Sequence, residues 1–438
     1  MKRKNNLKDV FRVIKGDLAG FLMLWSTQMF STLGSSMTNF ALVIWSYQSK
    51  GSALSTALLS VCSYAPYVLM SIFAGALSDR WDKKKTMLVS DTFAAVCTVI
   101  VLFLLQSGNL RIWHLYALNT CNGLMNTIQQ PASDVATTLL TPKKHYYRIS
   151  GMRAFSMSLT SILTPVLATM MLSFWGLQSV IMFDLITFAI AFITLLLWIK
   201  IPELPQCESS TESVLRSAKA GLQYLRKHRE ILDLILFLAA INLTASMFDA
   251  IIPAFMLPRQ NGTQALGILN AVTGLATLAG SIFVSVIPAP KNRVRVICNT
   301  LLLSMSTENF ILALGKSLPI WCVGAVFGWF VIPMMNANMD VLFRSNIPVE
   351  MQGRVYSARN TLQYFTIPIG FFLGGIFTDK IFEPFMALKK GNSFYVTLFG
   401  SGKGSGAALL LFVLGIIGTI TCVIFRKDPH IWKLDTEK

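Results

Sequence analysis

Long stretches without a charged side chain recur along this sequence, and they constrain its fold more than any other feature. Residues 53–78, for example, contain no Asp, Glu, Lys or Arg. An α-helix needs about 20 apolar residues to cross the hydrocarbon core of a bilayer. Charged residues make up only 13% of the chain, whereas about 25% is usual in soluble globular proteins. We therefore predict an all-α integral membrane protein.

Scanning for apolar runs of this length predicts twelve transmembrane helices. Their approximate ranges are 21–46, 53–78, 86–107, 112–132, 154–175, 178–199, 231–257, 264–287, 296–315, 318–340, 357–378 and 405–425. The first run lacks a small-residue cleavage site, so we expect it to be retained as a helix. The longest polar stretch in the middle of the chain separates six spans from six. We predict an N-terminal six-helix bundle over residues 1–200, a cytoplasmic linker over 201–230 and a C-terminal six-helix bundle over 231–438.

The distribution of Lys and Arg predicts the orientation in the membrane. Alternate loops hold 30 of the 38 cationic residues, and the remaining loops hold 8. Because cytoplasmic loops carry the excess of positive charge, we expect a multi-pass cell-membrane protein with both termini and the central linker in the cytoplasm. The cations are spread over many loops, so the net charge of +17 does not indicate a nucleic-acid partner.

The loop after the fourth span matches the loop after the tenth when it is shifted by 206 residues. Identical residues coincide at five positions, which are Asp134 and Asp340, Val135 and Val341, Pro142 and Pro348, Arg148 and Arg354, and Arg153 and Arg359. This constant spacing indicates duplicated halves; the alternative is that basic residues and prolines are common in such loops. Two related bundles around a central site are typical of secondary transporters. We predict a gating role for the charged members Asp134, Arg148, Arg153, Asp340, Arg354 and Arg359.

A second gating feature lies between the second and third predicted spans, in the sequence Gly75-Ala-Leu-Ser-Asp79-Arg80-Trp-Asp-Lys83-Lys84-Lys. A glycine at a helix end permits close approach of a partner helix. The carboxylate and the cations after it can form an ion-pair cluster that opens and closes. A plain basic loop would explain the cations, but not the glycine four residues before Asp79. We predict a cytoplasmic gating motif made of Gly75, Asp79, Arg80, Lys83 and Lys84.

This loop resembles the signature loop of the major facilitator superfamily, Gly-x-x-x-Asp-Arg-x-Gly-Arg-Arg/Lys, with Asp82 at the second Gly and Lys83 at the first Arg. Within that superfamily the chain is most similar to the bacterial drug-efflux group that includes the macrolide exporters. Four further features carry the resemblance, namely Asp91, Gln129-Gln130-Pro131-Ala132, Asp184 and Pro348-x-x-x-x-Gly353-Arg354-Val355. The resemblance implies the major facilitator fold, a drug exporter, and cytoplasmic gating by Gly75, Asp79, Arg80 and Lys83.

Two features of drug antiporters are missing from this sequence. The fourth span has asparagines where such antiporters have a buried Arg, and the fifth span has only Thr164-Pro165 where they have Gly-x-x-x-Gly-Pro. Acidic residues within the spans are therefore the alternative carriers of a proton. A charge at mid-helix costs about 2.5–3.5 kcal/mol on insertion scales and is seldom retained without a use.

Asp249 and Glu308 are the deepest acidic residues in the predicted spans. A carboxyl group that is neutral when desolvated and ionised when hydrated can exchange a proton for a cationic ligand. A structural acid is the alternative at both positions, and it is favoured for Glu308 because the ninth helix of such folds commonly lies at the periphery. Asp91 and Asp184 lie nearer the membrane faces, so we expect them to be structural. The predicted proton and substrate site comprises Asp249, Glu308, Gln28, Asn39, Asn122 and Asn242.

The composition of the spans predicts the class of substrate. The chain has 30 Phe, 20 Met and 9 Trp, and no Lys or Arg lies deep in a span. Such a cavity suits neutral or cationic amphiphiles better than anions or sugars. We predict a proton-driven exporter of macrolide-like antibiotics or other drugs that acts as a monomer. The alternatives are a carrier of one endogenous metabolite or siderophore, and a membrane sensor that does not transport.

Sequence signals for catalysis are missing. The chain has no Walker loop, HExxH or GxSxG motif. Its seven cysteines are isolated, without a CxxC pair or a histidine cluster beside them. A polytopic transferase would need clustered His and Asp at one membrane face, and none is visible. We therefore expect no enzymatic activity, cofactor or metal.

Overall fold

The computed structural model describes residues 19–80, 82–141, 146–199, 201, 214–259, 261–389 and 393–435. In these ranges the chain forms helices and no strands. The first five helices are α1 (Ala19–Lys50), α2 (Ala53–Arg80), α3 (Lys83–Gln106), α4 (Ile112–Leu139) and α5 (Tyr146–Leu197). They are followed by α6 (Val214–Lys227), α7 (Arg229–Met256), α8 (Gly262–Val286), α9 (Arg293–Leu314), α10 (Leu318–Phe330), α11 (Ile332–Asn346), α12 (Val349–Tyr364) and α13 (Thr366–Phe377). A π-helix (Thr378–Phe382), α14 (Glu383–Ala387), α15 (Phe394–Phe399), α16 (Ser405–Arg426) and α17 (Pro429–Lys433) complete the described part.

Nine helical stretches in the described residues are long and apolar enough to cross a membrane. This finding and the absence of strands in the same residues confirm the predicted class, an all-α integral membrane protein. The number of twelve spans stays a prediction. Helices α1 and α4 have 32 and 28 residues, but neither is among the nine stretches.

Helix α5 contains two of the predicted spans, although its 52 residues form one continuous helical assignment. It is broken at Gly176, whose φ of 77° lies in the left-handed region. Glycine adopts this conformation readily because it has no Cβ. The break falls between the predicted spans 154–175 and 178–199, as the sequence indicates.

Internal contacts divide the chain into two compact units. Unit 1 comprises Met1–Ala41 and Phe73–Thr211, and unit 2 comprises Leu42–Ile72 and Glu212–Lys438. Helices α1 and α2 each contribute residues to both units. In this division the connection between α1 and α2 and the adjoining helical turns pack within unit 2. The two bundles over residues 1–200 and 231–438 stay a prediction.

Within unit 1, α1 approaches the second half of α5 closely at Gly34. A Cβ placed on Gly34 would lie 2.5 Å from Oγ1 of Thr187 and 2.9 Å from Cα of Asp184. Small residues permit such close helix approach inside a membrane, where dispersion contacts contribute much of the helix association. Around this point Met37 and Ala168 are completely buried.

Within unit 2, a large hydrophobic cluster joins α7, α9, α11 and α16. Phe237, Ile297 and Phe343 lie in this cluster with at most 2% of their surface exposed. Leu225 of α6 is also completely buried there, so the second part of the predicted linker is an amphipathic helix that packs on unit 2. Residues 202–213 of that linker lie outside the described residues.

Candidate functional site

Asp249 lies on α7, seven residues before the helix ends at Met256. Its side chain is exposed. Tyr64 of α2 and Glu308 of α9 lie close enough to interact electrostatically with it, so the carboxylate is accessible and has neighbours on other helices of unit 2. Among the described residues, no side chain or backbone group donates a hydrogen bond to it. The carboxylate is therefore available to a proton or to a cationic group.

Aromatic side chains lie beside this carboxylate. Tyr64 of α2 is close enough to Asp249 to interact electrostatically with it, and its ring stacks on Phe371 of α13 with centroids 6.0 Å apart. Tyr64 is itself 45% exposed. Next to these rings, Ala57 and Ala250 pack against Phe371. A carboxylate beside the exposed ring of Tyr64 can bind an organic cation through charge and cation–π attraction.

Glu308 occupies a different environment on α9. It is only 7% exposed, and its Oε1 accepts a hydrogen bond of 3.0 Å from Nε1 of Trp329. A Cβ on Gly328 would lie 2.5 Å from the Glu308 carboxyl carbon, so the side chain occupies the contact between α9 and α10. Glu308 also interacts electrostatically with Asp249. Glu308 thus connects α9 to α10, which agrees with the alternative that it is a structural acid.

Gln28 lies in a polar cluster within unit 1. The Asp91 carboxylate of α3 accepts hydrogen bonds from Gln28 of α1, at 3.5 Å, and from Gln129 of α4. The sequence draws attention to Gln129 only because its motif resembles that of the superfamily. Nothing in the sequence predicts that Gln129 binds Asp91. The three side chains connect three helices, which agrees with a structural role for Asp91. Asp184 is likewise buried, and it accepts a hydrogen bond of 2.9 Å from Ser35.

The three asparagines of the predicted site are dispersed. Asn39 is exposed on α1. Asn122 lies on α4, where its Oδ1 is buried with no hydrogen-bond donor in the described residues. Asn242 lies on α7 and donates a hydrogen bond of 3.2 Å to the Gln363 carbonyl, which ties α7 to α12. Asn242 and Asp249 belong to unit 2, whereas Asn39 and Asn122 belong to unit 1.

The predicted cytoplasmic gating motif is described in part. The backbone of Gly75, Asp79 and Arg80 lies in α2, and their side chains lie outside the part that the structure describes. Lys84 donates hydrogen bonds from Nζ to the carbonyls of Leu196 and Ile199, at 3.0 and 2.8 Å. Since cations stabilise a helix C-terminus, Lys84 ties the start of α3 to the end of α5.

Lys83 is half-buried beside Lys84 and has an interaction partner. Asp82 precedes it and accepts a hydrogen bond of 2.8 Å from the Lys85 amide, which caps the N-terminus of α3. An aspartate satisfies a free amide at this position. The residue at the second Gly of the signature loop therefore has a local structural role.

The repeated loops differ in their side-chain contacts. In unit 1, Arg153 forms an ion pair with Asp134. In unit 2, the guanidinium of Arg359 lies 4.3 Å from the ring centroid of Phe343, and Asp340 is exposed. The side chains of the remaining repeat residues, Arg148 and Arg354, lie outside the described side chains. Asp340 also attracts Arg359 electrostatically. The two loops therefore differ in the direct contacts of the arginine, since Arg153 pairs with Asp134 whereas Arg359 contacts Phe343.

One cluster in the described part has the residue types of a metal site. Ligand atoms of Asp233, Asp428 and His430 lie within 4.8 Å of one another. These residues already bond to one another. His430 Nδ1 lies 3.1 Å from Asp233 Oδ2, and Asp428 accepts a hydrogen bond from the backbone amide of His430. The cluster therefore ties the start of α7 to α17 without requiring an ion.

A comparison with protein families agrees with the all-helical membrane fold. The profile described as Major Facilitator Superfamily matches residues 24–371. The chain belongs to the major facilitator superfamily. This family consists of transporters, so the prediction that the protein is a transporter and not an enzyme is confirmed, and so is the resemblance on which it partly rested.

Curated relatives within the superfamily are distant. Macrolide efflux protein A of Streptococcus pyogenes is 23% identical over 366 residues, which cover 82% of this chain and 90% of the relative. The enterobactin exporter EntS of Escherichia coli is 24% identical over 377 residues, with 81% of each chain covered. A crystal structure of the nucleoside transporter NupG superposes with a TM-score of 0.67 at 12% identity, covering 92% of this chain and 98% of that structure. At this identity the likeness concerns the fold alone.

Proposed function

We propose that this major facilitator protein exports neutral or cationic amphiphilic compounds, of which macrolide-like molecules are the first class to test. Proton movement drives the export. The observation that carries the proposal is Asp249, an accessible acid on a membrane-spanning helix with no hydrogen-bond donor among the described residues. The distant similarity to macrolide efflux proteins supports the direction of transport and the substrate class.

The chemistry at Asp249 follows from competition between two ligands. The ionised carboxylate attracts the ammonium group of an amphiphile, and the exposed ring of Tyr64, which the buried Phe371 supports, accepts its apolar body. When a proton binds the carboxylate instead, the charge attraction is lost and the amphiphile is released. An exchange of this kind couples the inward movement of protons to the outward movement of a cation. A neutral amphiphile would use the aromatic surface alone.

The shared environment of Asp249 and Glu308 supports a division of roles. The two acids lie close enough to interact electrostatically, but they differ in their hydrogen-bond partners. Glu308 already accepts a hydrogen bond from Trp329, whereas Asp249 has no such donor in the described part. We assign proton and substrate exchange to Asp249 and a structural role to Glu308.

A second candidate function is the export of one endogenous metabolite or siderophore. The similarity to the enterobactin exporter, which covers 81% of this chain, favours this alternative. Substrate range distinguishes it from multidrug export, since a dedicated carrier discriminates among amphiphiles of similar size and charge. A sensor without transport activity is the third candidate, and the unusual fourth and fifth spans are its motivation.

The first experiment measures accumulation of labelled macrolide-like, cationic and neutral amphiphiles in efflux-deficient cells that express the protein. Each compound is tested with and without a protonophore. Lower accumulation of several compounds, abolished by the protonophore, is the expected result. A reduction for one compound only would favour the dedicated carrier, and no reduction for any compound would contradict the drug-export proposal.

A further inference from the structure

Two carboxylates, Asp379 and Glu383, cap the N-termini of two different helices from one short segment. The segment consists of the π-helix and α14, immediately after α13. A π-helical turn is rare and occurs frequently at functional sites. The segment belongs to the loop over residues 379–404, which the charge distribution predicts to lie outside the cell.

Asp379 holds the start of α2. Its Oδ2 accepts hydrogen bonds from Oγ of Ser52, at 2.6 Å, and from the amide of Leu54, at 3.0 Å. Its Oδ1 accepts a third from the amide of Ala53, also at 3.0 Å. Free amides and the helix dipole both favour a carboxylate at this position. Three donors on one carboxylate make this the main polar attachment of the first turn of α2.

Glu383 holds the start of α16 in the same way. Its Oε1 accepts hydrogen bonds from the amides of Gly404 and Ala407, at 2.9 and 3.1 Å. Arg259 lies nearby and is electrostatically attracted to Glu383; burial lowers the pKa of the guanidinium to about 10, and the carboxylate opposes this decrease. The Arg259 guanidinium also lies 3.9 Å from the ring centroid of Phe255. Glu383 is thus attached on two sides within unit 2.

The two capped helices differ in their connections. Helix α16 lies wholly in unit 2, together with the segment that caps it. Helix α2 belongs to unit 2 only as far as Ile72, and its remaining turns belong to unit 1. The contact at Asp379 therefore holds the first turn of a helix whose last turns belong to unit 1. The contact at Glu383 holds a helix that lies wholly in unit 2.

The packing beside Asp379 suits a contact that separates and forms again. A Cβ on Gly375 of α13 would lie 2.7 Å from Cα of Leu54, so the backbones meet without an interlocking side chain. One turn earlier, Phe371 packs on Ala57. Smooth surfaces of this kind can separate without rotamer changes, whereas interdigitated side chains cannot.

We propose that the hydrogen bonds between Asp379 and the first turn of α2 form an outer latch, which is released and re-formed in each transport cycle, while the equivalent contact of Glu383 stays closed. This inference rests on the proposed transport function and on the predicted external position of the segment. It gives the 379–404 loop a function in gating, and it makes Asp379 a positioning residue for α2, which carries Tyr64 of the candidate site.

Two buried alanines provide a matched test. Ala53 and Ala407 are both 0% exposed, and each donates its amide to one of the two carboxylates. In a cysteine-free version of the full chain, Ala53→Cys or Ala407→Cys is introduced alone, and intact cells are treated with a membrane-impermeant maleimide. The rate of modification reports opening of the contact and needs no substrate. Failure of the proposed substrate class would therefore leave this result interpretable.

We expect the maleimide to modify Cys at position 53 and to leave Cys at position 407 protected. Asp379→Asn should increase the rate at position 53 by about tenfold, because charge-assisted hydrogen bonds are roughly twice as strong as neutral ones. Glu383→Gln should leave position 53 unchanged. Equal protection at positions 53 and 407, in the presence and absence of Asp379→Asn, would overturn the proposal.

A cross-link tests the release directly. The pair Ser52→Cys and Asp379→Cys places two thiols where Oγ and Oδ2 are now 2.6 Å apart. Oxidation is expected to reduce efflux of a compound identified in the accumulation experiment by at least tenfold, and an impermeant reductant should restore it. Full efflux by the cross-linked protein would contradict the latch, because transport would then proceed without its release.

Discussion

The indole of Trp329 donates a hydrogen bond of 3.0 Å to the carboxylate of Glu308, and the two residues lie on the neighbouring helices α10 and α9. A glycine beside the tryptophan makes this contact possible, because Gly328 leaves the space that the Glu308 carboxyl group occupies. A buried acid with a dedicated donor has no need of a transported ligand. This relationship distinguishes Glu308 from Asp249, although both residues are acids deep in predicted spans.

Gly328→Ala should destabilise the protein by about 1–3 kcal/mol, since the new methyl group would overlap the Glu308 carboxyl group. Thermal denaturation in detergent measures the effect. Gly20→Ala is the control, because the nearest atom to its Cβ would be Cδ2 of Leu140, 3.8 Å away. Equal melting temperatures for the two variants would show that α9 and α10 are not packed as described.

Asp249→Asn should reduce proton-driven efflux of a cationic amphiphile by at least about tenfold, which corresponds to about 1.4 kcal/mol of lost interaction. The amide cannot exchange a proton or attract an ammonium group. Glu308→Gln is the matched control, since its amide oxygen can still accept the hydrogen bond from Trp329. Efflux is measured together with the amount of protein in the membrane. Unchanged efflux in the Asp249→Asn variant would contradict the assignment of Asp249 as the exchange site.

Asp91→Leu should lower stability by about 1–3 kcal/mol, because the amide donors of Gln28 and Gln129 would lose their acceptor inside unit 1. Asp91→Asn should cost less, since its oxygen can still accept one of these hydrogen bonds. Thermal denaturation separates the two variants, and efflux per folded molecule should be similar in both. A large loss of efflux in stable Asp91→Asn protein would instead indicate a direct role in transport.

Reversal of the ion pair between Arg153 and Asp134 tests the gating role of the repeated loops. Both side chains are 45% exposed, so the pair contributes less than about 1 kcal/mol to stability. Arg153→Asp alone should impair efflux by placing two like charges together. The double variant Asp134→Arg/Arg153→Asp should restore much of the efflux while the melting temperature changes little.

The equivalent exchange in unit 2 provides the control for this prediction. Arg359 contacts the ring of Phe343 and donates a hydrogen bond of 3.1 Å to Gln363. An aspartate at position 359 could replace neither contact. The double variant Asp340→Arg/Arg359→Asp should therefore fail to restore efflux. Equal recovery in the two loops would indicate that the loops function alike despite their different contacts.

Part of the candidate site could be inferred from sequence alone. Asp249 is identifiable because an acid deep in an apolar run is costly, and the structure leaves it accessible without a donor among the described residues. Gln28 satisfies the same criterion of a polar residue in a span, but it binds Asp91 in the interior of unit 1. Asp249 and Gln28 differ because different residues of neighbouring helices face them. The spacing of residues within one helix does not predict which residues those are.

The membrane class and the helical secondary structure follow from the order of residues along the chain. Its uncharged runs are insoluble in water, and inside lipid a helix satisfies every backbone hydrogen bond within its own segment. The partners of the polar groups depend instead on how the helices pack. Asp379 binds the amide of Ala53, 326 residues away in the chain, and Trp329 binds Glu308 on another helix. Such contacts depend on the packing of distant segments, which local hydrophobicity and charge do not specify.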